Sequence, residues 1–232
     1  MSSGGKTWRI DLAEAARYLG YPEAPDPDMG ERLQSAAERV SQAARPRYVY
    51  AAWPLRPGAA GCELEDALFL PGASIARHLS GCAEGILLAA TLGAGVDSLI
   101  RRAAPVDLLD SVMADACAAA LTEQVMDAAE EEIHRERAGG APVYFTSRFS
   151  PGYGDLPLRL QPDILRLLDA PRRIGLSVTE SLILTPRKSV TAVIGRAAAA
   201  VPAPGRLAGA ACAAAGRCPR CARRGRCPYN GR

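Results

Sequence analysis

Two spacings of apolar residues organise the chain. Steps of three and four put Leu33, Ala36, Ala37, Val40 and Ala44 on one helical face, and Leu109, Met113, Ala116, Ala120, Val125, Ala129 and Ile133 on another. The first set predicts a helix capped by Asp28, and the second predicts the longest helix of the chain, Val106 to Glu136. Shorter helices are predicted from Asp11 to Gly20, with Asp11 as N-cap and Gly20 as terminator, from Ser74 to Leu79, from Val96 to Arg102, and from Pro162 to about Leu168. Strands are predicted at Arg47 to Trp53, Leu64 to Leu70, Gly85 to Leu92 and Val143 to Thr146, with a turn from Pro54 to Gly61. Thr179 to Leu184 and Ser189 to Ile194 read as a hairpin closed by Thr185-Pro186-Arg187-Lys188. Because helices and strands do not alternate regularly, the expected class is α+β on an antiparallel sheet, not a doubly wound fold. Gly93 and Gly95 sit between a strand and a helix, but Ser98 stands where a phosphate-binding turn needs its third glycine, so a tight turn is expected there.

Composition changes this picture in three places. The 48% hydrophobic content is swollen by alanine and only 5% of residues are aromatic, so the core must be built from Ala, Leu, Val and Ile faces. No apolar run reaches the roughly 18 residues of a membrane span, and Met1 to Asp11 lacks the apolar centre of a signal peptide. A cytoplasmic address with no membrane partner is the expectation. The net charge of +3 conceals an asymmetry: no acidic residue follows Glu180, while 10 of the 28 basic residues do, which leaves Met1 to Glu180 at −7 and the remainder at +10.

The candidate chemistry gathers between Arg148 and Ser189. Arg148-Phe149-Ser150-Pro151-Gly152-Tyr153 offers a planar cationic fork, a Pro-Gly turn with accessible backbone groups, and an aromatic face within six residues. These are the parts needed to hold a small zwitterionic nucleoside. Glu123 lies in the apolar stretch of the longest helix, either as a solvated charge or as a carboxylate presented to a ligand, and Glu130, Glu131 and Glu132 read as a solvated face. His78 and His134 have no ligand-like neighbours in sequence and read as structural or exposed. Cys62, Cys82 and Cys117, scattered singly in apolar surroundings, read as buried thiols.

Taken in order, Arg148-x-x-x-Gly152-Tyr153, Ile174-Gly175, Thr179-Glu180-Ser181 and Ser189-Val190 resemble the activation domain of cobalamin-dependent methionine synthase, over roughly Ile10 to Gly195. The resemblance implies a C-shaped α+β domain with a twisted antiparallel sheet and flanking helices. It implies repair as the function: S-adenosylmethionine supplies a methyl, and a flavodoxin- or ferredoxin-like donor supplies an electron, to restore methylcobalamin from cob(II)alamin. Arg148, Ser150, Pro151, Gly152 and Tyr153 then bind S-adenosylmethionine, with Arg148 forking onto its carboxylate, and Glu123, Asp11 and Glu180 add carboxylates near the cofactor. No side chain acts as nucleophile, since cobalt attacks the methyl, so the chain is expected to be an accessory to methyl transfer. It is also expected to stand alone and act in trans on a cobalamin-binding methionine synthase or another corrinoid protein. Ala192 departs from the pattern, replacing a glycine of the last motif.

The expected domain is 1–196, followed by an Ala-, Gly- and Arg-rich linker and cysteine-rich tail, 197–232. Cys218-x-x-Cys221 followed by Cys227, with Cys212 as a fourth thiol, has the bite of a zinc or iron–sulfur site, and six nearby arginines would favour the thiolates. A rival reading makes this tail the working part, a metal-binding adaptor for nucleic acid or protein. It ranks behind the first because Tyr229 is the tail's single aromatic, too few for stacking on nucleic acid bases.

Overall fold

The computed structural model describes residues 8–21, 23, 25–58, 60–137 and 143–198. Its centre is a six-stranded sheet in the order β3-β2-β1-β4-β8-β5, antiparallel at every pairing. The strands are β1 (Arg47–Gly58), β2 (Gly61–Leu64), β3 (Leu68–Pro71), β4 (Glu84–Thr91), β5 (Tyr144–Phe145) and β8 (Ser189–Ala197), while β6 (Ser177–Val178) and β7 (Leu184–Thr185) form a separate hairpin. The α+β expectation is met.

Helices cover both faces. On one, α1 (Leu12–Tyr18), α2 (Pro27–Ala43), α4 (Ala94–Ala103) and the 30-residue α5 (Leu108–Arg137) pack over Tyr48, Ile86, Leu88, Ala90, Ala192 and Ile194. On the other, α3 (Ala73–His78), α6 (Gln161–Leu167) and α7 (Ala170–Ile174) lie over Val49, Leu87, Ala89 and Val193. With both faces of β4 buried, every second residue cannot be polar, which is why this strand reads as a continuous apolar run. Ala192 is fully buried under the α5 layer, so the departure from the family motif lies in the core. Cys62, Cys82 and Cys117 are free and buried as expected, and burial pushes the Cys82 and Cys117 thiols up to about 11.

Several local expectations need correction. Asp26, not Asp28, caps α2: its carboxylate accepts from Met29 N at 3.0 Å, and Pro27 takes the first helical position, where no N–H is needed. The stretch from Pro54 is not a turn, since β1 continues through two prolines to Gly58. Leu55 N donates to Ala83 O, so the neighbouring pair Pro54↔Glu84 is a non-hydrogen-bonded pair, and Pro54 owes β4 no donor. The strand expected over Leu64 to Leu70 is instead a hairpin, β2 and β3, turning at Asp66 in the left-handed region (φ 55). The larger correction concerns Ser189 to Ile194. This segment does not pair with its sequence neighbour; it inserts between β4 and β5, and Thr179 to Ile183 forms the tip of the β6–β7 hairpin. A strand buried from Thr191 to Gly195 needs partners and cover on all sides, and only the sheet centre supplies them.

Among the described residues no helix is long and apolar enough to cross a membrane. The helix break expected at Ala138 to Ala141, the tail beyond residue 198, and Cys212, Cys218, Cys221 and Cys227 lie outside the described residues, while Ala197, expected to open the tail, ends β8.

Candidate functional site

The motif loop is anchored on the edge of the sheet. After β5, Thr146 N donates to Gly195 O, and Phe149 exchanges two hydrogen bonds with Val193 of β8 at 2.9 and 2.8 Å. From there the chain leaves the sheet through Ser150-Pro151-Gly152-Tyr153, closed by Tyr153 N to Ser150 O at 3.1 Å. With proline second and Gly152 third at φ 94, this is a type II turn, whose third residue needs a positive φ that a side chain disfavours. A Cβ at Gly152 would meet only Leu158 Cδ1, at 3.4 Å, so backbone conformation rather than crowding selects glycine here. Pro151 is buried and Ser150 half-buried, while the Tyr153 ring is 60% exposed, a large aromatic held out of the core.

Arg148 points the other way, onto α5. Its Nη2 lies 3.0 Å from Glu123 Oε2 and 2.9 Å from Asp127 Oδ1, and Nη1 lies 3.6 Å from Glu130 Oε2. Residues 123, 127 and 130 recur at four and three, one stripe of the helix, so the local fold delivers three carboxylates to one guanidinium. Nη1 is buried and has no hydrogen-bond partner. Burial pushes the Glu130 carboxyl above its ordinary value, Arg148 opposes this, and Asp127 and Glu123 add to it. Tyr18, at the end of α1, feels the same cluster: burial and then Glu123 raise its phenol. Of the acidic run, Glu131 is exposed as expected, but Glu132, like Glu130, is half-buried, and it accepts hydrogen bonds from Tyr48 and Tyr50.

Two candidates stand outside this group. Asp11 is exposed and spends its carboxylate capping α1, accepting from Ala13 N and Glu14 N. Glu180 is exposed at the tip of the β6–β7 hairpin. Neither makes a hydrogen bond or ion pair with Arg148.

A family model, "Vitamin B12 dependent methionine synthase, activation domain", matches residues 85–201. The chain belongs to this activation-domain family. Membership sets its role in methionine synthase reactivation, beside a cobalamin-binding partner. The matched stretch contains Glu123, Asp127, Glu130, Arg148 to Tyr153 and Glu180, but not Asp11. Among solved structures, the crystal structure of the MetH reactivation domain bound to AdoHcy is similar, with a TM-score of 0.63 at 19% identity over 86% of this chain and 78% of that one. At that identity the likeness is one of fold. No curated protein matches the chain.

Asp127 and Glu130 were legible in principle, four and seven residues beyond Glu123 on a helix already assigned. His78 and Asp155 were not. His78 is 4% exposed, donates from Nε2 to Ser147 O at 2.7 Å, and packs its ring against Phe149 at 5.0 Å between centroids. Asp155 accepts from Ala73 N and Ser74 N at the start of α3.

Proposed function

We propose that this activation domain binds S-adenosylmethionine between the Arg148–Tyr153 turn and the acidic face of α5. It there supports reductive methylation of a cobalamin carried in trans by a methionine synthase or another corrinoid protein. The observation that most supports this is the meeting of the motif loop and three α5 carboxylates at Arg148, inside the family-matched stretch.

The residues suit the ligand's charges. One guanidinium and three carboxylates leave two negative charges, and Glu123 and Asp127 are 45% and 61% exposed, within reach of an ammonium and a sulfonium. Because Nη2 is already shared by two carboxylates, the bidentate grip expected from the sequence narrows to Nη1, the buried donor left without a hydrogen bond. The Tyr153 face is free to stack on the adenine or meet the corrin. Because Gly152 N and Ser150 O are bonded within the loop, the Pro151 and Gly152 carbonyls, with the Ser150 hydroxyl, are the groups left to meet the adenine edge. Asp11 and Glu180, untouched by the cluster, carry no part of this reading. The methyl comes from S-adenosylmethionine and is accepted by the partner's cobalt, with an electron from a flavodoxin- or ferredoxin-like donor; this chain binds and orients.

Calorimetric titration of S-adenosylmethionine and S-adenosylhomocysteine into the purified protein tests the site. The protein with a corrinoid partner, reductant and S-adenosylmethionine should turn a cob(II)alamin spectrum into that of methylcobalamin. No binding heat, or conversion unchanged in R148A, overturns the assignment.

A further inference from the structure

The motif loop touches two helices of very different character. Toward α5 it offers one side chain, Arg148. Toward α3 it is held at both ends by groups that never approach the acidic cluster. At its start, the buried His78 donates from Nε2 to Ser147 O at 2.7 Å, and the same ring packs on Phe149, so one side chain grips the residues on either side of Arg148. At its end, the Asp155 carboxylate accepts from Ala73 N at 2.7 Å and from Ser74 N at 3.0 Å, satisfying the first amides of α3, which has no side-chain cap of its own. The approach is close enough that a Cβ on Gly72 would lie 2.4 Å from Asp155 Oδ1, at a φ of 126 that side chains rarely adopt.

These contacts are 69 and 82 residues long in sequence and land on opposite ends of a six-residue helix. A helix that short has little stability alone. Its two ends instead fix the separation of Ser147 and Asp155, and so the path of everything between them.

We infer that α3 is a splint for the Arg148–Tyr153 turn, with His78 and Asp155 as positioning residues that set where the motif presents its side chains and backbone to the ligand. The inference rests on the S-adenosylmethionine reading for the ligand, but the mechanical claim stands on its own contacts. His78 is suited to the task as a neutral ring: burial lowers its pKa, although the bond to Ser147 opposes this, and Nε2–H is the tautomer that the carbonyl selects. The acidic cluster holds Arg148 and the Phe149–Val193 pair holds the loop on β8, and the splint adds a tie at each end of the segment, so that the turn is set before the ligand arrives.

The test compares amide hydrogen exchange of the 147–156 segment with that of β4 in the full chain, alongside S-adenosylhomocysteine affinity. H78F keeps a ring but removes the donor, H78Q restores an N–H, and D155A uncaps α3. H78F should raise loop exchange about tenfold, the loss of roughly one hydrogen bond, and D155A, which removes two, at least as much, with β4 unchanged. H78Q should return it most of the way, and affinity should fall in step with loop exchange. Loop exchange unchanged in H78F, or raised equally in β4, overturns the splint and leaves His78 a core residue. If Phe at position 78 prevents folding, D155A decides, because Asp155 is exposed and its removal leaves the core intact. Should the wild-type chain bind neither nucleoside, the ligand reading fails while the exchange data still decide the splint.

Discussion

Helix α5 carries two acidic clusters that use the same chemistry for opposite ends. Near its C-terminus, Glu132 accepts from the phenol of Tyr48 on β1, and the single phenol proton of Tyr50 is shared between Glu132 and Glu136. Burial first, and then these carboxylates, push both phenols well above their ordinary value, so the tyrosines stay protonated donors and the helix is locked to the sheet. Earlier on the same helix, Glu123, Asp127 and Glu130 share a single guanidinium. Phenols turn their carboxylates toward the sheet, whereas the guanidinium leaves Glu123 and Asp127 exposed and its own Nη1 without a hydrogen bond. The first cluster is a fastener whose donors are used, and the second keeps exposed carboxylates beside a spare donor, which suits a zwitterion. The unbonded donor, not the net charge, distinguishes a binding site from a structural tie on the same helix.

The largest effect should come from R148A. It leaves three carboxylates facing one another and removes Nη1, so S-adenosylmethionine affinity should fall about a hundredfold or more, read by calorimetry. A loss of stability without loss of affinity would make the two clusters equivalent. Next, Y48F should cost about 1 kcal/mol in urea unfolding, the loss of a hydrogen bond to the half-buried Glu132, and Y50F somewhat less because its other acceptor, Glu136, is exposed, with affinity unchanged in both. A drop in affinity there would erase the distinction from the other side.

E130Q sharpens it through pH. Because the folded carboxyl of Glu130 titrates above its ordinary value of 4.5, the ionised form is a cost in the native state. That cost is absent below pH 4.5 and grows as pH rises through the folded pKa. E130Q should therefore match or exceed the wild-type melting temperature at pH 7 and lose the advantage in acid; the reverse order would show that Glu130 is a stabilising ion pair. The smallest effect is expected of E123Q. Its side chain is 45% exposed, so stability should move by less than about 0.5 kcal/mol, while affinity for S-adenosylmethionine falls a few-fold more than affinity for the uncharged-sulfur S-adenosylhomocysteine.

Much of the architecture is written locally. Asp11 and Gly20 bound α1 because capping and left-handed termination are properties of the residues themselves, and steps of three and four mark α5 as a long helix, although its middle, Met113 to Ala129, is buried on more than one face. The Pro151-Gly152 turn is legible for the same reason, since only that pair presets both of its φ angles. The failures came where one reading is locally as good as another. Pro54 looks like a turn until its partner in β4 is known, and Ser189 to Ile194 looks like a hairpin arm until its two buried faces demand a central place.

By itself, then, the sequence determined the α+β class, most helix bounds, the buried thiols, and the ordered motifs that belong to the activation-domain family. Only the tertiary structure decided that β8 divides β4 from β5, that Arg148 meets three carboxylates, and that α3 braces the turn. The physical reason is range. Caps, turns and periodicity are settled by residues within a few positions, whereas these contacts join groups 18 to 112 residues apart, and their partners are chosen by burial and register in the folded sheet.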